Sequence, residues 1–247
     1  MLPSLSIMIE TGTILDIIRL VVGATILTYA SYTDIKTRKA SNILWIIIGI
    51  TGALLLVIQY FTIGFGDKTL YLVFIPIMIG LMYVLFQMRL IFGGADAKAI
   101  MSLAILLPLE PTILQFPLFK GSPMPFSWVI FSNSVVLFLF IPLSLLIYNI
   151  VKRNAKLPYC LLGYKMNLEK AKEKFVWPLE RIIDGERKFF YMPKEFDAEE
   201  EFEEFEKQDI KEIWVTPKIP FMIPLLAGFI SSFVMGDILF NLINSIM

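Results

Sequence analysis

The sequence reads as an all-α polytopic membrane protein of about six transmembrane helices, with a small cytoplasmic α/β insert before the last one. Three observations carry that reading. Of 247 residues 57% are apolar, and the mean hydropathy of +0.71 lies far above that of an ordinary soluble chain. Charge is segregated: residues 152–218 hold 14 of the 22 Lys and Arg and 15 of the 22 Asp and Glu. The remainder divides into apolar runs near the ~20 residues that a helix needs to cross hydrocarbon.

Taken in order, the expected spans are 14–33, 43–63, 69–92, 95–109, 126–150 and 219–245. The fourth, "AKAIMSLAILLPL", is short and ends at Pro108. It is therefore expected to tilt or sit lower than its neighbours. The first is no cleavable leader, because it lacks a basic start and ends in charges. Residues 1–151 thus form a five-span block, 152–218 a soluble insert and 219–247 a last span. In the insert, "NLEKAKEKFVWPLERI" has helical charge spacing until Pro178, "ERKFFYMPKEF" and "EIWVTPKIP" read as strands, and "DAEEEFEEFEKQD" as an acidic helix or solvated linker. The acidic run is a solubilising surface or an attractor of basic partners.

Lys and Arg beside short connections orient the chain. Lys36, Arg38, Lys39, Arg89, Lys98, Lys152, Arg153 and Lys156 fall on one side, and only Lys68 and Lys120 on the other. The first side is cytoplasmic, which leaves both termini outside. Arg19 departs from this pattern; with Asp16 three residues earlier, it reads as a local ion pair snorkelling to the interface. The net charge of zero says nothing about nucleic acid, because the basic residues sit among acids or beside apolar spans and form no patch; the lipid bilayer is the expected partner, and nucleic acid is not.

Histidine is absent and Cys160 is the only cysteine. A Ser-His relay, an HExxH zinc site, a four-cysteine zinc site and an internal disulfide are all excluded; no resident metal or cofactor is among the expected site groups. Cys160 reads as a buried structural thiol. Catalysis, if present, rests on carboxylates, lysines, hydroxyls or a borrowed cofactor. Outside the insert there are seven acids: Glu10, Asp16, Asp34, Asp67, Asp96, Glu110 and Asp237. Only Asp34, in "SYTDIKTRKASN", and Asp96, in "GGADAKAI", fall on the cytoplasmic side. Two aspartates held close cannot both ionise, so one keeps a proton while the other acts as base toward a shared water. Gly93, Gly94 and Ala95 lack bulk and let an extended backbone approach Asp96. Lys36 and Lys98 lie close enough in sequence to hold or orient a carboxylate.

"GGADAK" opening one span, together with "D-x-K-x-R-K-x-x-N" from Asp34 to Asn42 after the first, resembles the GxGD membrane aspartic proteases. Within them it is most similar to the type IV prepilin peptidase branch and its archaeal preflagellin-processing members. The resemblance covers nearly the whole chain, including the "TPKIPFMIP" entry to the last span. It implies that Asp34 and Asp96 are the catalytic pair and that Gly93, Gly94 and Ala95 shape the second motif. The implied substrate is a preflagellin or pilin-like precursor, with a basic stretch ending in Lys-Gly or Arg-Gly before an apolar helix. Bacterial relatives carry a cysteine tetrad and methylate the new N-terminus, whereas this insert has Cys160 alone; cleavage without methylation is expected.

Two features depart from the pattern: Ala95 stands where the signature has its second glycine, and Ala40 and Ser41 precede Asn42 where Ile-Pro is usual. The signature is matched letter for letter instead by "GFGD" at 64–67. That stretch falls on the opposite membrane side and reads as a tight turn, with Asp67 or Thr69 available as a helix cap. Two other readings remain: a proton-coupled transporter or channel using membrane aspartates, and a presenilin or signal-peptide-peptidase-like protease. The first would place its acids at the midplane. The second would show Tyr-Asp where this chain has "SYTD", and a Pro-Ala-Leu motif that is absent. A catalytic pair 62 positions apart has nothing local to force contact, so a site partly open without substrate is expected.

Overall fold

The computed structural model describes residues 2–88, 90, 93–119, 121–190 and 199–247, with side chains from residue 10 onward. Arg89, Lys120 and residues 191–198, which entered the charge count and the insert readings above, lie outside the described residues.

Helix α1 (Leu2–Thr37) ends at Arg38, whose backbone turns left-handed at φ 55° while its N–H donates to the Asp34 carbonyl at 3.0 Å. Ser41, in an extended conformation, leads into α2 (Asn42–Thr62). Gly64 (φ 69°) and Gly66 (φ 52°) then make the turn into a 3₁₀ segment, Gly66–Val73, and α3 (Phe74–Gln87). Next come α4 (Gly94–Leu106), α5 (Phe126–Phe138) and α6 (Phe140–Val151). Pro76 and Pro142 each stand third in their helix. A proline there cannot donate to the carbonyl four residues back, so the helix restarts instead of continuing.

The insert follows with α7 (Tyr159–Leu162), β1 (Tyr164–Asn167), α8 (Leu168–Lys172), β2 (Val176–Pro178), β3 (Glu180–Ile183), β4 (Glu186–Phe189), α9 (Glu199–Lys207) and β5 (Glu212–Pro217). The chain closes with α10 (Met222–Met235) and α11 (Ile238–Ile246).

Among the described residues four segments are long and apolar enough to cross a membrane: Glu10–Thr37, Asn42–Thr62, Gly66–Gln87 and Phe126–Val151. Of the six expected spans, the fourth and the sixth are not among these four. Helix α4, with 13 residues, is about 20 Å long against a hydrocarbon thickness of about 30 Å. The sixth span, expected to run unbroken over 219–245, is interrupted at Gly236 and Asp237. Gly236 takes φ 84°, and the Asp237 carboxylate accepts from Phe240 N at 3.0 Å as the N-cap of α11. Asn133 on α5 fixes the break: its Nδ2 donates to Ser232 Oγ and to the Gly236 carbonyl, both at 2.8 Å, and its Oδ1 accepts from Ile238 N at 3.1 Å. The Gly-Asp pair, a helix stop followed by a helix start, was the sequence signal for it.

Two compact units result, residues 1–138 with 220–247, and residues 139–219. The second begins at α6, earlier than the insert boundary at 152 drawn from charge. In the first unit the core is formed by residues such as Leu27, Ile48, Met82, Ile100, Leu103, Phe126 and Phe229. Glycines allow its closest approaches. A Cβ on Gly52 would stand 2.6 Å from Leu106 Cα, so α2 and α4 touch backbone to backbone. One on Gly228 would stand 2.6 Å from Ser134 N and 2.8 Å from its Cα, which sets the contact of α10 with α5. Gly228→Ala is therefore expected to destabilise by about 1–3 kcal/mol through overpacking against backbone that cannot yield. A lowered thermal midpoint in detergent checks this.

The second unit has the antiparallel sheet β1-β5-β2, with Tyr164 opposite Val215 and Val176 opposite Pro217, and the separate hairpin β3-β4. The strands expected in "ERKFFYMPKEF" and "EIWVTPKIP" correspond to β4 and β5. The helix expected up to Pro178 covers only Leu168–Lys172, because Val176–Pro178 pairs with β5; Pro178 is tolerated on an edge strand. The acidic run from Glu199 is a helix, not a linker. Phe202 and Phe205, three residues apart, bury one face of α9 with Ile213 and Val215, while Glu201 and Glu206 pair with Arg181 and Lys172, both at 2.7 Å. Cys160 is buried beside Leu179 and Trp214, as read from sequence.

Candidate active site

The seven acids outside the insert have different fates. Asp237 is the α11 cap just described. Asp67 is exposed in the 3₁₀ segment; Thr69 Oγ1 donates to the Gly66 carbonyl at 2.7 Å, and neither side chain caps the segment, whose N-cap is Phe65. The turn reading of "GFGD" holds and its capping detail is corrected. Asp16 bonds Arg19 Nη1 at 2.8 Å and accepts from Thr112 N at 2.8 Å. Arg19 does not snorkel. It is 4% exposed, and its Nη2 donates to Gln59 Oε1 at 2.7 Å, so the pair ties α1 to α2 and to the loop after α4.

Asp34 and Asp96 stand on touching helices, Asp34 in the last turn of α1 and Asp96 in the first turn of α4. Each is half-buried, and the charge on Asp34 is felt at Asp96. Asp67 is at the other end of α2, about 30 Å away along that 21-residue helix. The Lys68 charge there reaches Asp16, 18 residues before Asp34 on α1. Among the described residues no hydrogen bond or ion pair engages the side chain of Asp34 or Asp96. Every other acid with a buried carboxylate outside the insert has such partners. A pair left without structural partners at one end of the bundle is available for chemistry.

The surroundings divide the remaining sequence candidates. Gly93 is the N-cap of α4 at φ −89°, ψ 109°, and the Asp96 carboxylate folds back into the space where a Cβ on Gly93 would stand. A Cβ on Gly94 would meet only the edge of the Phe86 ring, at 3.4 Å. Ala95 is inside α4 with its methyl against the core, so alanine in the third signature position costs nothing in backbone strain. The lysines do not attend the pair. Lys36 Nζ lies over the Tyr32 ring at 4.5 Å, and Lys98 Nζ donates to Asn42 Oδ1 at 2.9 Å. Arg38 is the cation whose charge reaches Asp34. Its left-handed backbone at the end of α1 was not foreseen from sequence.

Gly93→Ala is expected to displace the Asp96 carboxylate while leaving the fold intact, because the obstructed group is the free end of a side chain. Cleavage should fall about 10–100-fold, the scale of an ångström-sized misplacement of a reacting group, with an unchanged thermal midpoint. Gly94→Ala should retain most activity. Equal activities for the two variants would contradict the steric account.

No group of three or more Cys, Asp or Glu placed to hold a metal occurs among the described residues. Residues 21–151 match the model of the type IV leader peptidase family, and residues 155–238 match that of the archaeal peptidase A24 C-terminus, type II. Over its length the chain is similar to a preflagellin peptidase of Methanocaldococcus jannaschii, with 25% identity across 93% of this chain and 98% of that protein. It is likewise similar to preflagellin peptidases of Methanococcus maripaludis (27%, 89% and 96%) and Methanococcus voltae (26%, 90% and 97%).

Proposed function

We propose, from the premise that this chain belongs to the type IV leader peptidase family, that it removes the short basic leader of preflagellin-like or pilin-like precursors at the cytoplasmic membrane face, using Asp34 and Asp96. The chain is a signal peptidase of that family, and its relatives are named for preflagellin. The residue assignment is supported by two half-buried carboxylates that lie on touching helices and feel each other's charge, Asp34 in the last turn of α1 and Asp96 in the first turn of α4. The excess of Lys and Arg at that end supports a cytoplasmic location.

In the proposed reaction one aspartate is ionised and its neighbour protonated. The ionised one takes a proton from a water whose oxygen attacks the scissile carbonyl carbon, and the protonated one gives its proton to the carbonyl oxygen. Collapse of the diol breaks the C–N bond as the amine takes up a proton, and the pair is left with one proton again. The pair titrates as a unit. The precursor's apolar helix rests in the bilayer, and its basic end unwinds at the level of the pair, since a peptide bond inside a helix is closed to attack.

Purified protein incubated with a preflagellin-type peptide should release the leader after its Lys-Gly or Arg-Gly. The mature product should keep an unmodified N-terminus even with a methyl donor present. Proton flux through reconstituted vesicles with no cleavage would point to transport instead. A methylated product would overturn the expectation drawn from the lone Cys160.

A further inference from the structure

The faces of α2 and α4 diverge toward the end that carries Asp96. They touch backbone to backbone at Gly52 and Leu106. One turn earlier a Cβ on Gly49 would lie 3.9 Å from Ile105 Cδ1, and at Asn42 the gap is bridged by the long Lys98 side chain at 2.9 Å. Between them runs a groove of about 520 Å³, walled by apolar groups such as Met101 and Ile105, with Lys98 its one charged lining residue. From Asn42 to the closure at Gly52 it is about 15 Å deep, at 1.5 Å per helical residue. That equals one leaflet of a hydrocarbon core about 30 Å thick.

We propose that this groove is a binding site for an anionic membrane lipid, one hydrocarbon chain lying between α2 and α4 and the headgroup phosphate held by Lys98 and Asn42. The polar end is built from donors. The Lys98 ammonium has two N–H groups beyond the one given to Asn42, and Asn42 carries an amide NH₂. Trp45, one turn further on, also lines the groove, and its indole N–H is buried with no acceptor among the described residues.

Charge and shape select this occupant. A phosphate is attracted to Lys98, whereas the basic end of a precursor is repelled by it. A helix is about 10–12 Å across with its side chains and must continue through both leaflets, but the groove closes at mid-depth. A single flexible chain ends there. The site is separate from the aspartates, because the lysine that faces it is turned to Asn42 and not to either carboxylate.

The test weighs the intact protein by native mass spectrometry after extraction from vesicles of phosphatidylglycerol and phosphatidylcholine in equal amounts. One retained phosphatidylglycerol is expected. Lys98→Gln should lower its retention about tenfold, the loss of one charge-assisted hydrogen bond, while Lys98→Arg keeps it. Gly49→Leu should lower retention by filling the groove, with thermal melting confirming that the variant folds. Lys98 is exposed, so its variants carry the test even if Gly49→Leu does not fold. Equal retention of the two lipids, or undiminished phosphatidylglycerol in folded Lys98→Gln, would overturn the proposal. So would displacement of the lipid by millimolar inorganic phosphate, or photo-cross-linking of position 49 to the precursor peptide in place of lipid.

Discussion

Asp34→Asn and Asp96→Asn are each expected to lower cleavage of a preflagellin-type peptide by about 10²–10⁴-fold, the range supplied by a positioned general acid or base. Asparagine keeps the shape of the side chain but neither takes nor gives the proton that the reaction moves. Neither carboxylate has a structural partner among the described residues, so the thermal midpoints should stay near that of the parent. The losses should not multiply in the double variant, because a shared water fails when either member is removed. Asp67→Asn, in the better match to the family signature, should cleave normally. A dead Asp67→Asn beside a working Asp96→Asn would overturn the assignment at once, since the two positions lie about a bilayer's thickness apart.

Asp16→Ala is expected to do the reverse, destabilising by about 3–5 kcal/mol without touching the chemistry. Arg19 is 4% exposed and pairs with Asp16 at 2.8 Å. Removal of one member of a buried pair leaves an uncompensated charge, which accounts for an effect of that size. Gln59 would keep one hydrogen bond to the guanidinium but brings no charge. Adding Arg19→Leu to Asp16→Ala should recover most of the loss, as apolar replacement of a whole buried pair is often near neutral. Thermal midpoints of the single and double variants in one detergent are the measurement. An unshifted Asp16→Ala would mean that Arg19 reaches the interface, as the sequence reading had it.

Sequence and structure divide the acids in different ways. A local pattern was enough to separate Asp67 from Asp96: a glycine turn between two apolar helices leaves little choice about which end of the bundle it occupies. The same holds for Ala95, harmless because helix geometry is fixed over a single turn. The acidic stretch after Glu199 was legible as a helix through Phe202 and Phe205, although its charge suggested solvent first. Asp237 was missed because a hydropathy window averages over the two residues, Gly236 and Asp237, that end one helix and start the next.

By itself the sequence determined which parts of the chain are apolar enough to meet lipid, and its lack of His and its single Cys narrowed the chemistry open to it. These follow from composition and from helix length, which add up along the chain without reference to its neighbours. Only the tertiary structure decided that Lys98 serves Asn42, that Lys36 lies on Tyr32, that the Arg38 charge reaches Asp34, and that Arg19 is locked inside. Side-chain partners depend on how neighbouring helices rotate about their axes, and that rotation is set by close contacts such as Gly52 on Leu106 and Gly228 on Ser134. Spacing along one helix cannot encode an angle that two helices settle between them.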